Sequence, residues 1–554
     1  MAGDAALARL RRFLYTGLEG NRYQPGRRDF SAESVQSAPS LIADKRGVEV
    51  VKEVLCFTKG EPRTLCPDAL AYVLALCAAS DDTATKAAAY RAFKEVCSSP
   101  TQLFALTRFL ESVSEGTGWG RAHRNAVAAW YTRRNPRELA TQVTKVVRRH
   151  RWTHQDVIRL AHVRPPPSNL GVSLVLRYLT KGFQAAEEYL AEEQGKGVVD
   201  PEAVEVLAYL RGVHEVKRTT DEQAAARLVE MHDLALEHIP THFLKSKEMW
   251  VCLVPRLPLR LLLEQLPRLA RGGLLKGSCV LRPLLERLQS DNSLADSGCP
   301  LGPLETYALG RSLEGCPSSS LGAGTSSQHG GAGRGPYSRP WGGPHAGPGG
   351  KRGHRHHRSQ LEDVLASLHV SSFKTVVSTG KRYLVAVDVR SPMAHGRTVG
   401  LGALTPAEAS GLLLQALARA ETNVTALAFS ARGLVDMEIN NKMTLADISR
   451  RMRETPMGPV NVSLPLRWAR EQKRLFDVFL VCTDNQTQTW DVHPAEALKE
   501  YREALNLPQA QLVTCAMCSH GFSLAPPDEF GMLDIAGFDV NVLRIIQDFA
   551  LGLF

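Results

Sequence analysis

The pattern of hydrophobic and polar residues changes once along the chain, near residue 381. Upstream, apolar residues recur with the period of an α-helix behind polar cap residues, as in the segments 83–96 and 101–110. No strict repeat length links these segments. Residues 1–290 therefore predict a succession of helices, and loose helical pairs of this kind are typical of an irregular HEAT-type α-solenoid.

Downstream of residue 381, strand and helix patterns alternate. One continuous apolar run ends at Asp388, and a second, mostly apolar segment runs from Phe476 to Asp484. Such runs predict strands that are buried on both faces of a sheet. Further strands are predicted at 424–429 and 511–516, and helices at 359–368, 406–420, 444–454, 464–472, 494–505 and 540–553. This alternation predicts a doubly wound, mostly parallel α/β sheet, with its ligand site at the carboxyl ends of the strands.

A segment of different composition separates these two regions. Residues 316–358 are rich in Gly, Ser, Pro, His and Arg and contain too few apolar residues for a core, which predicts a disordered linker. Its His-rich end is a candidate for weak metal binding, although a flexible cationic tether is favoured. The fold class is thus α plus α/β, with a helical-repeat domain at 1–315, a linker at 316–358 and an α/β domain at 359–554.

Length and composition exclude several classes of protein. No apolar run among the 554 residues is long enough to cross a bilayer, and charged residues stand where a signal peptide needs an apolar core. The eleven cysteines are scattered, which suits free thiols in a reducing compartment. We therefore expect a monomer without membrane contact, located in the cytoplasm, with the nucleus as a second location.

The net charge of +10 is unevenly distributed. From Lys374 to the end the chain has 18 Lys and Arg against 19 Asp and Glu, and residues 316–358 hold six basic and no acidic side chains. The remaining excess lies in the predicted helices. A basic N-terminal half joined to a nearly neutral C-terminal half indicates that the first half meets a polyanion.

Within the helical half, basic residues concentrate in four clusters with aromatic residues beside two of them. Solvated helix faces would account for any single cluster, but four clusters favour phosphate contacts combined with base stacking. The pattern indicates nucleic acid without choosing RNA. The candidate binding residues are Arg121, Arg124, Lys145, Arg148, Arg149, Arg159, His162, Lys217, Arg218, Lys245 and Lys247.

Longer motifs resemble one known family over nearly the whole chain except the linker. The segments at 484–502 and 531–539 resemble the C-terminal half of the 60 kDa SS-A/Ro ribonucleoprotein (Ro autoantigen) family. Its helical TROVE domain is similar to the segments Trp119-Gly-Arg-Ala122, Trp130-Tyr131, Val143-Thr-Lys145, Tyr178-Leu-Thr-Lys-Gly182, Val216-Lys-Arg-Thr219 and Leu244-Lys-Ser-Lys-Glu-Met-Trp250. The motifs are long and occur in the same order.

The resemblance implies a ring of HEAT-like repeats joined to a von Willebrand factor A domain. It also implies binding of small noncoding Y RNAs and of misfolded RNAs, in RNA quality control and ribonucleoprotein assembly. Protein partners through the A domain are a further expectation. Arg159 and His162 match the family pattern, but Gln155 stands where family members usually have lysine. We expect this change to weaken phosphate contact without abolishing it.

The family's A domain typically holds a divalent cation through Asp-x-Ser-x-Ser, a threonine and a second aspartate. In this chain only Asp388, Ser391 and Asp484 remain of that region, while Arg390, Pro392 and Val460 replace ligands. Hard cations require several oxygen ligands, so we expect no metal cofactor. We predict instead that the Arg390 guanidinium pairs with one or both aspartates, as its fork geometry allows. The alternative is that Arg390 points to solvent.

Other chemistry has little support. Cys515 and Cys518 have redox-motif spacing, but no second Cys-x-x-Cys exists, so buried thiols are favoured. No phosphate-binding glycine motif or local nucleophile signature occurs, which predicts a protein that is not an enzyme. The remaining alternative to RNA binding is a protein-interaction scaffold of the same fold that has lost high-affinity RNA binding.

Overall fold

The computed structural model describes residues 2–26, 28–114, 118–198, 200–276, 278–290, 301–314, 350–485 and 492–554. These residues form two compact units, one made of residues 1–240 and 376–554 and the other of residues 241–375. This division differs from the predicted one, because the N-terminal helices and the α/β sheet share a unit. None of the described helices is both long and apolar enough to span a membrane.

The N-terminal part of the first unit is almost entirely helical. Its elements are α1 (Ala2–Thr16), β1 (Arg22–Tyr23), α2 (Ser37–Ala43), α3 (Gly47–Lys59), α4 (Pro67–Ala79), α5 (Thr83–Val96), α6 (Pro100–Val113), α7 (Arg121–Thr132), α8 (Pro136–Lys145), β2 (Arg148–Arg149), β3 (Trp152–Thr153), α9 (His154–Leu160), α10 (Leu170–Lys181), α11 (Phe183–Gly195), α12 (Pro201–Val216), α13 (Glu222–His232) and a 3-10 turn (Leu236–His238). Each helix packs against the next or the next but one, for example α4 against α6 and α10 against α12.

The described residues of the second unit form helices and 3-10 turns. They are α14 (Lys247–Leu253), α15 (Leu259–Arg271), α16 (Ser278–Ser290), α17 (Pro303–Glu314) and α18 (Gly350–Ser372), with 3-10 turns at Phe243–Lys245, Leu274–Lys276 and Phe373–Thr375. The prediction of a disordered linker up to residue 358 is wrong at its end, because α18 already begins at Gly350. A helix that packs through Leu361, Leu365 and Leu368 extends at little cost into adjacent Lys, Arg and His residues. Residues 316–349 of the predicted linker lie outside the described residues.

The C-terminal part of the first unit is the α/β sheet. Its elements are β4 (Tyr383–Val387), α19 (Ser391–His395), α20 (Pro406–Ala420), β5 (Val424–Ser430), β6 (Gly433–Asp436), α21 (Leu445–Glu454), α22 (Leu464–Glu471), β7 (Val478–Thr483), α23 (Pro494–Leu505), β8 (Gln511–Ala516), β9 (Met532–Ala536) and α24 (Val542–Ala550). The strand order is β1-β9-β8-β7-β4-β5-β6, and only β6 is antiparallel to its neighbour. The predicted doubly wound, mostly parallel sheet is confirmed.

The edge strand β1 was not predicted, since everything before residue 381 was expected to be helix or linker. It pairs in parallel with β9, with Arg22 opposite Asp534. The fully buried Arg12 of α1 holds this junction, since its guanidinium donates to the carbonyl oxygen of Phe530 at 2.6 Å and to the Asn21 side chain. The N-terminal segment is therefore an integral part of the sheet.

Candidate nucleic-acid interface

The most basic segment of the chain folds as a short hairpin followed by α9. Strands β2 and β3 pair with Arg149 opposite Trp152. The single acid of this segment, Asp156, forms a capping box with Thr153, whose backbone N–H donates to the Asp156 carboxylate at 3.0 Å. Among the described residues, Asp156 therefore accepts hydrogen bonds from Thr153 and forms no ion pair with the arginines of this segment.

A buried histidine anchors this hairpin to the helices beneath it. The Nδ1 atom of His154 lies 2.7 Å from the Tyr131 hydroxyl, and its Nε2 atom lies 2.9 Å from the carbonyl oxygen of Val146. Burial lowers the pKa of His154 to about 4, so the ring is neutral at physiological pH. A neutral ring donates from Nε2 and accepts at Nδ1, which satisfies both contacts.

The predicted basic side chains are solvent-exposed, except that Arg124 and Arg149 are half-buried. In the described part of the chain none of them forms an ion pair with a carboxylate, whereas Arg134, Arg211 and Arg382 all do. The ten residues concerned are Arg121, Arg124, Lys145, Arg148, Arg149, Arg159, Lys217, Arg218, Lys245 and Lys247. Their charge is therefore available to a polyanion.

Two of these arginines lie at an electrostatically unfavourable position. Arg121 and Arg124 occupy the first turn of α7, whose N-cap Gly120 provides no side-chain acceptor and whose first turn contains no acid. Cations at the positive end of a helix dipole cost about 0.3–1 kcal/mol each. A phosphate bound at this helix end would offset that cost and accept hydrogen bonds from the free backbone N–H groups.

Helix α9 carries three of the predicted positions. Arg159 is exposed, and His162 follows the helix with φ +51°, in a Schellman motif closed by the Val163 N–H and the Ile158 carbonyl at 3.0 Å. Gln155, which replaces the family's lysine, donates from Nε2 to the carbonyl oxygen of Thr180 at 3.1 Å. The Gln155 side chain is thus engaged in packing α9 on α10.

Lys145 and Lys217 belong to a second basic region around the buried His238. Burial lowers the pKa of His238 to about 4, and the positive charges of Lys217 and Lys145 lower it further. The His238 ring lies 2.9 Å from the Thr144 hydroxyl and 3.4 Å from that of Tyr209. Arg218 follows Lys217 in the chain, and its Nη1 atom lies 3.0 Å from His214 Nε2. Lys245 and Lys247 are exposed residues of the other compact unit.

The sequence reasoning missed Arg108 as a neighbour of the basic hairpin. Its guanidinium lies 3.3 Å from His150 Nδ1 at the hairpin tip and is bound to Asp29 at 2.9 Å. Arg108 belongs to α6, outside the basic segment. No local signal in the sequence could have linked it to the hairpin, since 42 residues separate it from His150.

The two aspartates of the sheet come together as predicted. Asp388 follows β4 and Asp484 follows β7, and these neighbouring parallel strands pair with Val387 opposite Cys482. Asp388 is fully buried and the Asp484 side chain is 8% exposed. Thr483, which the sequence reasoning did not single out, lies 3.2 Å from one carboxylate and 3.3 Å from the other.

The Arg390 guanidinium lies between these carboxylates, as the sequence predicted. Its Nε and Nη2 atoms donate to the two oxygens of Asp388 at 3.0 and 2.7 Å, and Nη2 also donates to Asp484 at 3.2 Å. The hydrogen bond to Asp388 raises the pKa of Arg390, so the group stays charged. The alternative in which Arg390 points to solvent is wrong.

The residues present do not fit a divalent cation. Arg390 brings positive charge to the position between the two carboxylates, Val460 is fully buried in the hydrophobic core, and Pro392 has no hydroxyl. Ser391 is exposed and its hydroxyl lies 3.4 Å from His395 Nδ1. Hard cations need several oxygen ligands, and this arrangement supplies two carboxylates that are already paired.

Comparison with known proteins places both parts of the chain. A family model described as the TROVE domain matches residues 7–300, and one described as the Ro60 vWA domain matches residues 382–550. A protein named RNA-binding protein RO60 from Caenorhabditis elegans is 26% identical over 603 residues, which cover 98% of this chain and 87% of that protein. A second RO60, from Deinococcus radiodurans, is 24% identical over 551 residues, covering 98% of this chain and 92% of its own length.

A solved structure has the same fold. The crystal structure of the Deinococcus radiodurans RO (RSR) protein superimposes with a TM-score of 0.81 at 24% identity. The match covers 99% of this chain and 100% of that one. The helical region and the mostly parallel sheet thus follow an arrangement already seen by crystallography.

Proposed function

We propose, from the premise that this chain belongs to the TROVE-domain family of Ro60 proteins, that it binds small noncoding RNAs of the Y type and misfolded RNAs. Its role is RNA stability and quality control, and it acts by binding, without catalysis. We place it in the cytoplasm and the nucleus as a monomeric component of a ribonucleoprotein. Two relatives that span nearly the whole chain are named RNA-binding proteins, which supports RNA as the polyanion.

The observation that carries this proposal is the set of unneutralised cations on the helical region. Nucleic-acid affinity comes largely from Lys and Arg side chains that displace counterions from phosphates. The basic hairpin, the first turn of α7 and the exposed face of α9 present such side chains without acidic partners among the described residues. On an ordinary solvated surface, positive and negative side chains alternate and form ion pairs, as Arg134, Arg211 and Arg382 do elsewhere in the chain.

The test is filter binding of a structured small RNA with a single-stranded 3′ tail over a salt series. We expect tight binding that falls steeply with salt, and loss of binding in the Arg159→Glu/Lys145→Glu variant. The logarithmic salt slope should become shallower by roughly 0.7–0.9 for each phosphate that the variant no longer neutralises. The matched control is Arg432→Glu/Lys473→Glu, which changes the net charge equally at exposed positions of the α/β part.

A scaffold that has lost RNA affinity is the competing function, and Gln155 together with Arg390 favours it. Weak RNA binding that the two double variants reduce equally, or not at all, would mean that the basic surface has no specific role. The scaffold function would then take precedence, with protein partners bound through the α/β part. Tight binding lost only in the Arg159→Glu/Lys145→Glu variant would exclude it.

We also propose that the α/β part has lost the divalent cation typical of its family. The support is the Arg390 guanidinium, whose charge and hydrogen bonds satisfy Asp388 and Asp484. Calorimetric titration with magnesium or manganese should show no binding to the wild-type chain. Binding that disappears in Asp388→Ala would refute this. The variant Arg390→Ser/Pro392→Ser/Val460→Thr, which restores the family's hydroxyls, serves as the positive control.

A further inference from the structure

Two tryptophans that are distant in sequence form one aromatic surface, here called the aromatic platform and consisting of Trp119, His123 and Trp152. The Trp119 ring stacks on His123 with a centroid distance of 4.2 Å and an interplanar angle of 16°. The Trp152 ring lies 5.9 Å from that of Trp119 at 49°. We propose that this platform receives an unpaired base of the bound RNA by stacking, an inference that rests on the proposed RNA-binding function.

The platform differs in its exposure from the neighbouring aromatic cluster around His154. Both of its indoles are partly accessible to solvent, whereas Trp130 and Tyr131, which surround His154, are buried. Full burial of an aromatic ring removes 150–250 Å² of mostly apolar surface from water, and the two indoles of the platform forgo part of that stabilisation. Two partly open indoles beside each other are suited to a flat ligand.

The platform is held in place before any ligand arrives. His123 is 5% exposed, and Tyr90 lies on it at 6.4 Å and 30°, which extends the stack below Trp119. The Trp119 indole N–H donates to the Glu111 carboxylate. Burial lowers the pKa of His123 to about 4, so its ring is neutral at physiological pH, and its Nε2 atom has no hydrogen-bond partner among the described residues. A stacking surface fixed in advance loses little entropy on binding.

The hairpin that presents Trp152 is strained. His150 and Arg151 at its tip have φ values of +52° and +69°. A two-residue turn with positive φ at both positions strongly prefers Asn and Gly, and other residues there cost roughly 1–2 kcal/mol each. Such strain is typical of positions whose geometry serves function. The turn places the exposed Arg151 next to Trp152 and lets Arg149 pair across from it.

The charges around the platform indicate the kind of ligand. Three exposed arginines lie close to the platform residues along the chain: Arg121 follows Trp119 by two residues, and Arg148 and Arg151 belong to the hairpin that carries Trp152. None of the three forms an ion pair within the described residues. Aromatic rings beside a run of unpaired cations are the chemistry of single-stranded nucleic-acid binding, in which bases stack and phosphates meet Lys and Arg. Stacking is tolerant of sequence, because every base has a π-face.

The test compares two RNAs that share one duplex and differ in a short 3′ tail. One tail carries bases and the other carries abasic ribose at the same positions, so both have the same phosphates. We expect wild type to bind the first about 10- to 100-fold more tightly. The Trp119→Ala/Trp152→Ala variant should lose this preference and keep both its affinity for the abasic RNA and its salt slope.

A second measurement covers the case in which the alanine variant is destabilised. The base-bearing tail should quench tryptophan emission of the wild-type protein more than the abasic tail does. That difference should vanish in Trp119→Phe/Trp152→Phe, which retains ring packing, and persist in Trp468→Phe, a half-buried tryptophan of the α/β part. Phenylalanine should also retain most of the affinity for the base-bearing tail.

The outcomes separate the two proposals. Equal wild-type affinity for the two tails, with steep salt dependence, would leave RNA binding in place and overturn base stacking at the platform. Equal loss of affinity for both RNAs in the alanine variant would make the tryptophans structural and likewise overturn it. If the wild-type chain binds neither RNA, the proposed function itself fails, and the platform proposal falls with it.

Discussion

Replacing Arg390 by methionine tests whether a guanidinium has taken over the role of a cation in the sheet. The substitution keeps an unbranched, flexible stem but leaves the fully buried Asp388 and the nearly buried Asp484 without their positive partner. Breaking a buried ion pair by removing one partner costs about 3–5 kcal/mol. Because the Arg390 side chain is itself 20% exposed, the lower end, about 3 kcal/mol, is expected.

The assay is differential scanning calorimetry of the full chain, with the transition that contains the sheet as the readout. For a cooperative unit that contains residues 1–240 and 376–554, a loss of about 3 kcal/mol corresponds to a decrease of roughly 3–4 °C in the melting temperature. The matched control is Arg382→Met. Arg382 makes an equally regular fork on Asp477, at 2.7 and 2.9 Å, but with side-chain exposures of 31% and 27%. We expect less than about 1 kcal/mol for that variant.

Magnesium gives a second readout of the same reasoning. In Arg390→Ser the two carboxylates are free to hold a cation, and a cation present at ten times its Kd would restore about 1.4 kcal/mol. Wild type should show no shift in its melting transition with added magnesium. The reasoning is refuted if Arg390→Met is no more destabilising than Arg382→Met. It is also refuted if magnesium raises the melting temperature of wild type as much as it raises that of Arg390→Ser.

Three further predictions follow from single residues. His162→Gly should stabilise the chain by about 0.5–1 kcal/mol in thermal melting, because φ is +51° there, yet weaken RNA binding; a loss of stability would contradict the left-handed cap. Gln155→Lys should strengthen RNA binding and steepen the logarithmic salt slope by roughly 0.7–0.9, measured by filter binding, and an unchanged slope would place position 155 away from phosphate. Burial raises the pKa of Asp534 to about 6, above the unfolded value near 3.9, so the native state binds the proton more tightly and stability falls as pH rises from about 4 to 6. Asp534→Asn should remove up to about 3 kcal/mol of that pH dependence in urea titrations at pH 4 and 7, since an amide oxygen still accepts the Ala525 N–H, and a slope equal to wild type would show that another group is responsible.

Local sequence determined most of the elements and the position of Asp388 and Asp484 at the carboxyl ends of two strands. Continuous apolar runs specify strands with both faces buried, and the carboxyl ends of neighbouring parallel strands necessarily meet at one edge of the sheet. The resemblance to the metal site of von Willebrand factor A domains then placed Asp388, Arg390 and Asp484 in one site, and the structure brings them together. The helices 406–420 and 494–505 were predicted at their observed bounds, because Pro at the first position and a cap residue before it mark their starts.

Tertiary structure alone decided what distant segments do to one another. Nothing in Arg22-Tyr23 indicates a strand. Two residues form a strand only when they pair with the edge of an existing sheet, which β9 provides here. Trp119 and Trp152 are equally ordinary in sequence, and their meeting depends on how α7 and the β2–β3 hairpin pack around His154. Side-chain periodicity reports which face of an element is buried, whereas the partner of that face is fixed by long-range packing. The basic character of the surface was thus present in the sequence, and its aromatic centre appeared only in the fold.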